Sequence, residues 1–143
     1  MTFAEMSLNS LADSVAESGM AIAVAETFTG GQLSTALAAA PDAAEWFRGG
    51  VVDAAADVLG LTEGDAATEL RAREMAKGVC ILLDARVGVA VTGEAGTVFA
   101  AVHTTRHVVV REWHFEGTAH EVIEATIRAT LGLVAVEVSL LAA

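Results

Sequence analysis

The sequence predicts an α/β protein: a three-layer α/β/α sandwich around a mixed, mostly parallel sheet. Three observations predict it. Two short, continuous apolar runs, 20–26 and 86–91, read as strands buried on both faces, as parallel strands between helices are. Segments with helical spacing alternate with them. Two β-rich runs, 97–104 and 107–115, adjoin around Thr105-Arg106, so a hairpin near the end makes the sheet mixed. With 143 residues, 54% of them hydrophobic, the chain has the size of one domain spanning 1–143 and enough apolar surface to exclude intrinsic disorder.

The elements follow in order. Phe3, Met6, Leu11 and Val15 give residues 3–18 a weak amphipathic helix, ended by Gly19. Residues 20–26 form the first strand, and Thr27-Phe28-Thr29-Gly30-Gly31 a turn. A helix over 32–40 stops at Pro41. Asp42 is placed to N-cap a second helical piece through Trp46 and Phe47, which Gly49-Gly50 breaks before a short strand at Val51-Val52. Residues 54–61 are ambiguous between helix and loop, and 62–65 read as a connection with an N-cap. A helix over 66–84 sets Leu70, Met75, Val79, Leu82 and Leu83 roughly on one side and the pair Glu69–Arg73 on the other. The strand 86–91 ends in Thr92-Gly93-Glu94-Ala95-Gly96. After the hairpin, Gly117-Thr118 precede a last helix, 119–141, with Ile123, Ile127, Leu131, Val134, Val138 and Leu141 at helical spacing. Its apolar character all round suggests burial in a homodimer or higher homo-oligomer.

Composition narrows the function. Eight Lys and Arg stand against nineteen Asp and Glu, a net charge of −11. Nucleic acid is therefore not expected as a partner, nor an anionic membrane. No apolar stretch is long enough to span a bilayer, and no basic region with a following apolar run marks a leader, so the expectation is a cytoplasmic protein. The one cysteine, Cys80, lies in an apolar setting and reads as a buried structural thiol. The four histidines show no metal spacing, and neither metal nor cofactor is expected. Lys77 is the single lysine and tyrosine is absent, which closes any mechanism that needs a Lys–Tyr pair.

Chemistry could sit at two turns. Glu26-Thr27-Phe28-Thr29-Gly30-Gly31 lies at the C-terminal end of a strand, where open α/β sheets bind ligands. The following helix offers unpaired N–H groups and a positive dipole end to a phosphate or carboxylate. A tight turn with a threonine capping the helix explains the same residues, and spacing alone favours that simpler account. The second turn, Thr92-Gly93-Glu94-Ala95-Gly96, also ends a strand. If the two strands are parallel neighbours, both turns face one crevice. Candidate ligand contacts are then Glu26, Thr29, Gly30, Gly31, Thr92, Gly93, Ala95 and Gly96.

These turns carry a resemblance. Ala25-Glu26-Thr27-Phe28-Thr29-Gly30-Gly31 resembles the A-E-S-[CS]-T-G-G signature of the CinA C-terminal domain family. Trp46-Phe47-Arg48-Gly49-Gly50-Val51-Val52, Leu59-Gly60-Leu61, Glu74-Met75-Ala76-Lys77-Gly78, Ala90-Val91-Thr92-Gly93-Glu94-Ala95-Gly96 and Phe115-Glu116-Gly117 follow in that family's order. The resemblance implies a CinA-like, anticodon-binding-domain-like three-layer fold and a tendency to homo-oligomers. It also implies the activity of the stand-alone domain, a nicotinamide-nucleotide amidase that converts nicotinamide mononucleotide to nicotinate mononucleotide and ammonia in pyridine-nucleotide salvage.

The departures bear on that activity. Thr27 occupies the position of the family's serine nucleophile. The family's lysine base and its tyrosine partner have no counterpart in the shorter stretch Val52–Val58. The arginines of a G-D-R…V-R segment, plausible phosphate ligands, are replaced within Gly117-Thr118-Ala119…Val122-Ile123. A hydroxyl nucleophile needs an adjacent base, and losing an acid–base partner costs ~10²–10⁴ in rate. The expectation is a catalytically degenerate family member with Thr27 as a vestigial nucleophile position, acting as a binding protein for a small-molecule nucleotide, a partner subunit or an assembly protein. The alternative is a hydrolase that uses Thr27 with Asp53 or His103 as base.

Overall fold

The computed structural model describes residues 2–53, 55–61 and 68–142. Its elements are α1 (Phe3–Ser18), β1 (Ile22–Glu26), α2 (Gln32–Ala38), α3 (Ala43–Trp46), β2 (Phe47–Val52), α4 (Ala55–Val58), α5 (Glu69–Leu83), β3 (Val87–Glu94), β4 (Thr97–His103), β5 (Val108–His114) and α6 (Ala119–Ala142). The five strands form one sheet in the order β2-β1-β3-β4-β5. β1 runs parallel to β2 and β3, while β3, β4 and β5 are antiparallel neighbours. The sheet is mixed, as expected, with the two kinds of pairing in equal number. Among the described residues no helix is long and apolar enough to cross a membrane.

The two faces of the sheet differ in side-chain size, and the alternation is written into the strands. Ile22 and Val24 of β1 and Val87, Val89 and Val91 of β3 point to one face, where they pack with Leu11, Val15, Leu33, Leu37, Leu131 and Val134 from α1, α2 and α6. Ala23, Ala25, Ala90 and Ala101 point to the other, against Ala72, Met75, Ala76 and Val79 of α5. Successive strand residues alternate faces, so an alternation of large and small residues becomes one thick layer and one thin one. α5 comes so close that a Cβ on Gly88 would lie 2.0 Å from the carbonyl oxygen of Ala76.

Local signals set the ends of the helices. Thr2 and Glu5 close a reciprocal capping box on α1, and Gly19, left-handed at φ 68, ends it. Thr118 and Glu121 exchange the same pair of bonds at the start of α6. The hairpin between β4 and β5 grips the far end of α6: Arg106 donates to the carbonyl of Leu140 at 3.0 Å, and the His107 ring pairs with the buried Glu137 carboxylate at 2.9 Å. Leu131, Val134 and Val138 of α6 are buried within the chain itself, and Val136 and Leu140 remain exposed.

Several sequence expectations are corrected. The helix expected through Phe47 ends at Trp46, and Gly49-Gly50 lie inside β2 rather than before it. The ladder shifts register opposite Ile22 and Ala23, and a Cβ on Gly50 would strike the Ser34 hydroxyl. Here glycine marks a bulge and a close approach rather than a break. Asp42 caps nothing with its side chain. α5 begins at Glu69 because Thr68, in extended conformation, accepts from the Arg71 amide. The expected connection 62–65 and helical residues 66 and 67 lie outside the described residues. Leu70 and Leu82, grouped by spacing on one side of α5 with Met75 and Val79, are exposed, whereas Met75 and Val79 are buried.

Gly88→Ala should cost about 3 kcal/mol, because overpacking meets helix backbone that cannot give way. Gly30→Ala, at a left-handed position with nothing within 4 Å, should cost only the conformational ~1–2 kcal/mol. Urea unfolding of both variants checks the difference, and equal losses would refute a rigid thin layer.

Candidate functional site

The site is built on the first turn. Glu26, the last residue of β1, is completely buried. Its carboxylate accepts from the amides of Leu33 (3.2 Å) and Ser34 (2.7 Å), from the Ser34 hydroxyl (2.6 Å) and from the Thr29 hydroxyl. Two of the N-terminal amides of α2, expected to be open to a ligand, are therefore taken by a carboxylate of the chain itself, and the Gln32 amide donates to the Thr29 carbonyl at 3.1 Å. Nor does a threonine cap the helix: the N-cap position is Gly31, with no side-chain bond. Phe28, Gly30 and Gly31 all have positive φ, and the Thr29 amide turns back to the Thr27 carbonyl at 2.8 Å.

The parallel pairing of β1 with β3 brings the two turns together. The Thr27 amide donates to the Val91 carbonyl at 3.0 Å, and its hydroxyl donates to the Thr92 hydroxyl at 2.9 Å. The second turn is tighter than expected. β3 continues through Thr92, Gly93 and Glu94, paired with Phe99, Val98 and Thr97 of β4, so only Ala95 and Gly96 form the connection. Both have positive φ, 51 and 85, as a two-residue hairpin of matching twist requires. Gly93 leaves room for the Phe28 ring: a Cβ there would lie 3.0 Å from it.

Beside this junction lies a cleft of about 590 Å³, lined by Phe28, Ala95 and Gly96 and, from the β5–α6 connection and the start of α6, by Phe115, Glu116, Gly117, Ala119, Val122 and Ile123. The predicted residues thus separate. Ala95 and Gly96 reach the cleft wall. Glu26, Thr29 and Thr92 are buried, the first two committed to holding the turn. Gly30 is exposed, and a Cβ on Gly31 would lie 3.7 Å from the Val52 side chain. Thr27 is half-buried and faces Thr92. The expected ligand contacts omit Phe28 and the α6 side of the cleft, where the resemblance places only the family's replaced arginines. The signal was present in Phe115-Glu116-Gly117, a matched motif with no core role.

The two candidate bases fare differently. His103 pairs with Gly88, while Thr92 pairs with Phe99. Four strand residues, or about 13 Å, thus separate it from the turn, and it cannot serve Thr27. Burial, then the Lys77 charge, lowers its pKa from the usual 6.5. The nearby Cys80 sulfur lies 3.9 Å from its ring, and burial raises that thiol to about 11, so it stays protonated at neutral pH. Asp53 is at the right end of the sheet, its amide bonded to the Glu26 carbonyl at 2.8 Å, and it is exposed. The Thr27 hydroxyl nevertheless donates to Thr92. Among the described residues no cluster could hold a metal ion.

Fold and site together define a three-layer α/β/α domain whose β1–α2 turn, β3–β4 hairpin and α6 start surround one cleft. The model of the CinA C-terminal domain matches residues 5–138, and the chain belongs to that family. It is 31% identical over 130 residues to protein YdeJ of Escherichia coli, covering 77% of this chain and 76% of that one. It is 32% identical over 141 residues to a CinA-like protein of Thermotoga neapolitana, covering 85% of this chain but 33% of the relative. The chain spans about a third of the length of the first curated relatives it matches. Among solved structures, a competence or damage-inducible protein of Enterobacter asburiae superposes with TM-score 0.90 at 25% identity over 97% of this chain and all of that one. A CinA superfamily protein of Escherichia coli gives 0.87 at 28% identity, over 93% of this chain and 90% of that one.

Glu26→Ala should lower stability by on the order of 3 kcal/mol, since it strands two helix amides and two hydroxyls; chemical denaturation reads the loss, with Glu26→Gln intermediate. His103 gives a pH dependence. Its folded pKa is depressed, so the unfolded chain binds its proton first. Its contribution is complete above pH 6.5 and is lost as pH falls through the folded value. Denaturant midpoints of the natural chain should fall between pH 8 and pH 5 more steeply than those of His103→Gln, and parallel curves would disprove this.

Proposed function

We propose that this member of the CinA family binds a small molecule related to the pyridine nucleotides and does not hydrolyse it. The observation that carries the reading is the state of the Thr27 hydroxyl. It is bonded to another neutral hydroxyl, Thr92, at 2.9 Å, and Thr27 is not among the residues that line the cleft. A threonine adds to this a methyl group and a stiff χ1, which restrict any swing toward a bound carbonyl. A hydroxyl with a pKa far above 7 is a poor nucleophile without a base to take its proton. The family's Lys and Tyr have no counterpart in Val52–Val58, whose ionisable residues are Asp53 and Asp57. Lys77 sits mid-way along α5, two residues from the buried Met75.

What the residues can still do is bind. A cleft of about 590 Å³ lies within the size range of small-molecule sites. Its wall is mostly apolar, and its shape is held by two tightly specified turns and a capped helix.

Incubation of the protein with nicotinamide mononucleotide should release no ammonia above the buffer control, and Thr27→Ala should behave identically. Ammonia release that disappears in Thr27→Ala would overturn the reading in favour of a threonine hydrolase.

A further inference from the structure

The wall of the cleft says more about its occupant. Of the nine lining residues, four are large and apolar, Phe28, Phe115, Val122 and Ile123, and one is charged, Glu116. None is basic. Four carry no side chain beyond a methyl group, so the aromatic rings and the carboxylate dominate the chemistry. The start of α6 borders the cleft, but the Glu121 carboxylate already accepts from the Thr118 amide there, and Glu26 holds the Leu33 and Ser34 amides of α2. Among the described residues, then, the cleft wall offers a phosphate no basic side chain, and carboxylates already stand at amides of both nearby helix starts. The net charge of −11 adds long-range repulsion for anions.

On the reading that the cleft is a binding site, we infer that its ligand is a cationic aromatic heterocycle without a phosphate group. A flat ring uses the Phe28 and Phe115 surfaces, whose π faces attract a cation. Its charge is met by the Glu116 carboxylate, an exposed group at the cleft wall that attracts a cation across a few ångströms. A phosphate on the same ligand would lie against Glu116 or against Val122 and Ile123, losing hydration without a donor to replace it.

Isothermal titration of the full chain with nicotinamide riboside, nicotinamide mononucleotide, uncharged nicotinamide and inorganic phosphate tests this. The riboside should bind at least about tenfold more tightly than the mononucleotide, and inorganic phosphate should not bind. Glu116→Gln, an exposed position, should weaken the riboside about tenfold and leave uncharged nicotinamide unchanged. Ala119→Arg, also exposed, should shift preference toward the mononucleotide. Mononucleotide bound as tightly as the riboside would overturn the ligand class while leaving a binding function in place. If none of the four compounds binds, both the ligand class and the binding reading fall, whereas ammonia release bears on the loss of catalysis alone.

Discussion

The Glu26 carboxylate is the interaction on which the site depends. A charged group with no solvent exposure is costly unless every oxygen is met by donors. Here both oxygens are met, by two amides of α2 and two hydroxyls. These bonds fix where α2 begins, hold Thr29 inward, and force the intervening residues through the positive-φ positions Phe28, Gly30 and Gly31. With the turn so closed, Phe28 is set over Gly93 and toward the cleft. The adjacent hydroxyl of Thr27 is left facing β3. A seven-residue helix is too short to be stable by itself. The carboxylate supplies at its first turn part of what its length does not.

The fold was largely legible because it rests on patterns of period two and period 3.6. The runs around β1 and β3 predicted buried parallel strands, and the structure pairs them directly. The Thr105-Arg106 hairpin lies between β4 and β5 as expected. What local pattern could not convey was the work of glycines. Gly49-Gly50 looks like a break, since flexibility is the residue's usual effect. In β2 it serves a register shift and contact with Ser34. Gly88 serves the same kind of end, the approach of α5. Such contacts are long-range, and a single sequence does not show which partner will occupy the missing side chain's space.

The site was legible in its location and much less in its roles. That the two turns would meet followed from topology, and Thr27 and Thr92 do touch. The roles of Glu26 and Thr29 did not follow. A carboxylate and a hydroxyl in a strand-end turn look like ligand contacts, and only the burial of Glu26 distinguishes an internal cap from an external site. The α6 side of the cleft was legible only as the place of the family's replaced arginines, not as a wall facing Phe28. Phe115 and Val122 come to Phe28 because α6 packs on α1 and the sheet through Leu131, Val134 and Val138, with Arg106 and His107 anchoring its far end across thirty residues or more.

The same geometry limits what a motif match can say about chemistry. Glu26, Thr29, Gly30 and Gly31 each have a folding reason in this chain: a buried cap, its hydroxyl partner, and two left-handed turn positions. A chain that abandoned catalysis would still need all four to begin α2 where it does. Selection for the fold alone therefore preserves most of the signature. The positions free to change without unfolding the turn are those whose side chains do not close it. Thr27 and the α6 residues 119 and 123 are of that kind. They are half-buried or exposed, and they fall where this chain departs from the family pattern. A retained signature therefore does not by itself imply retained chemistry, because the side chains that close the turn are not the ones that would carry a reaction.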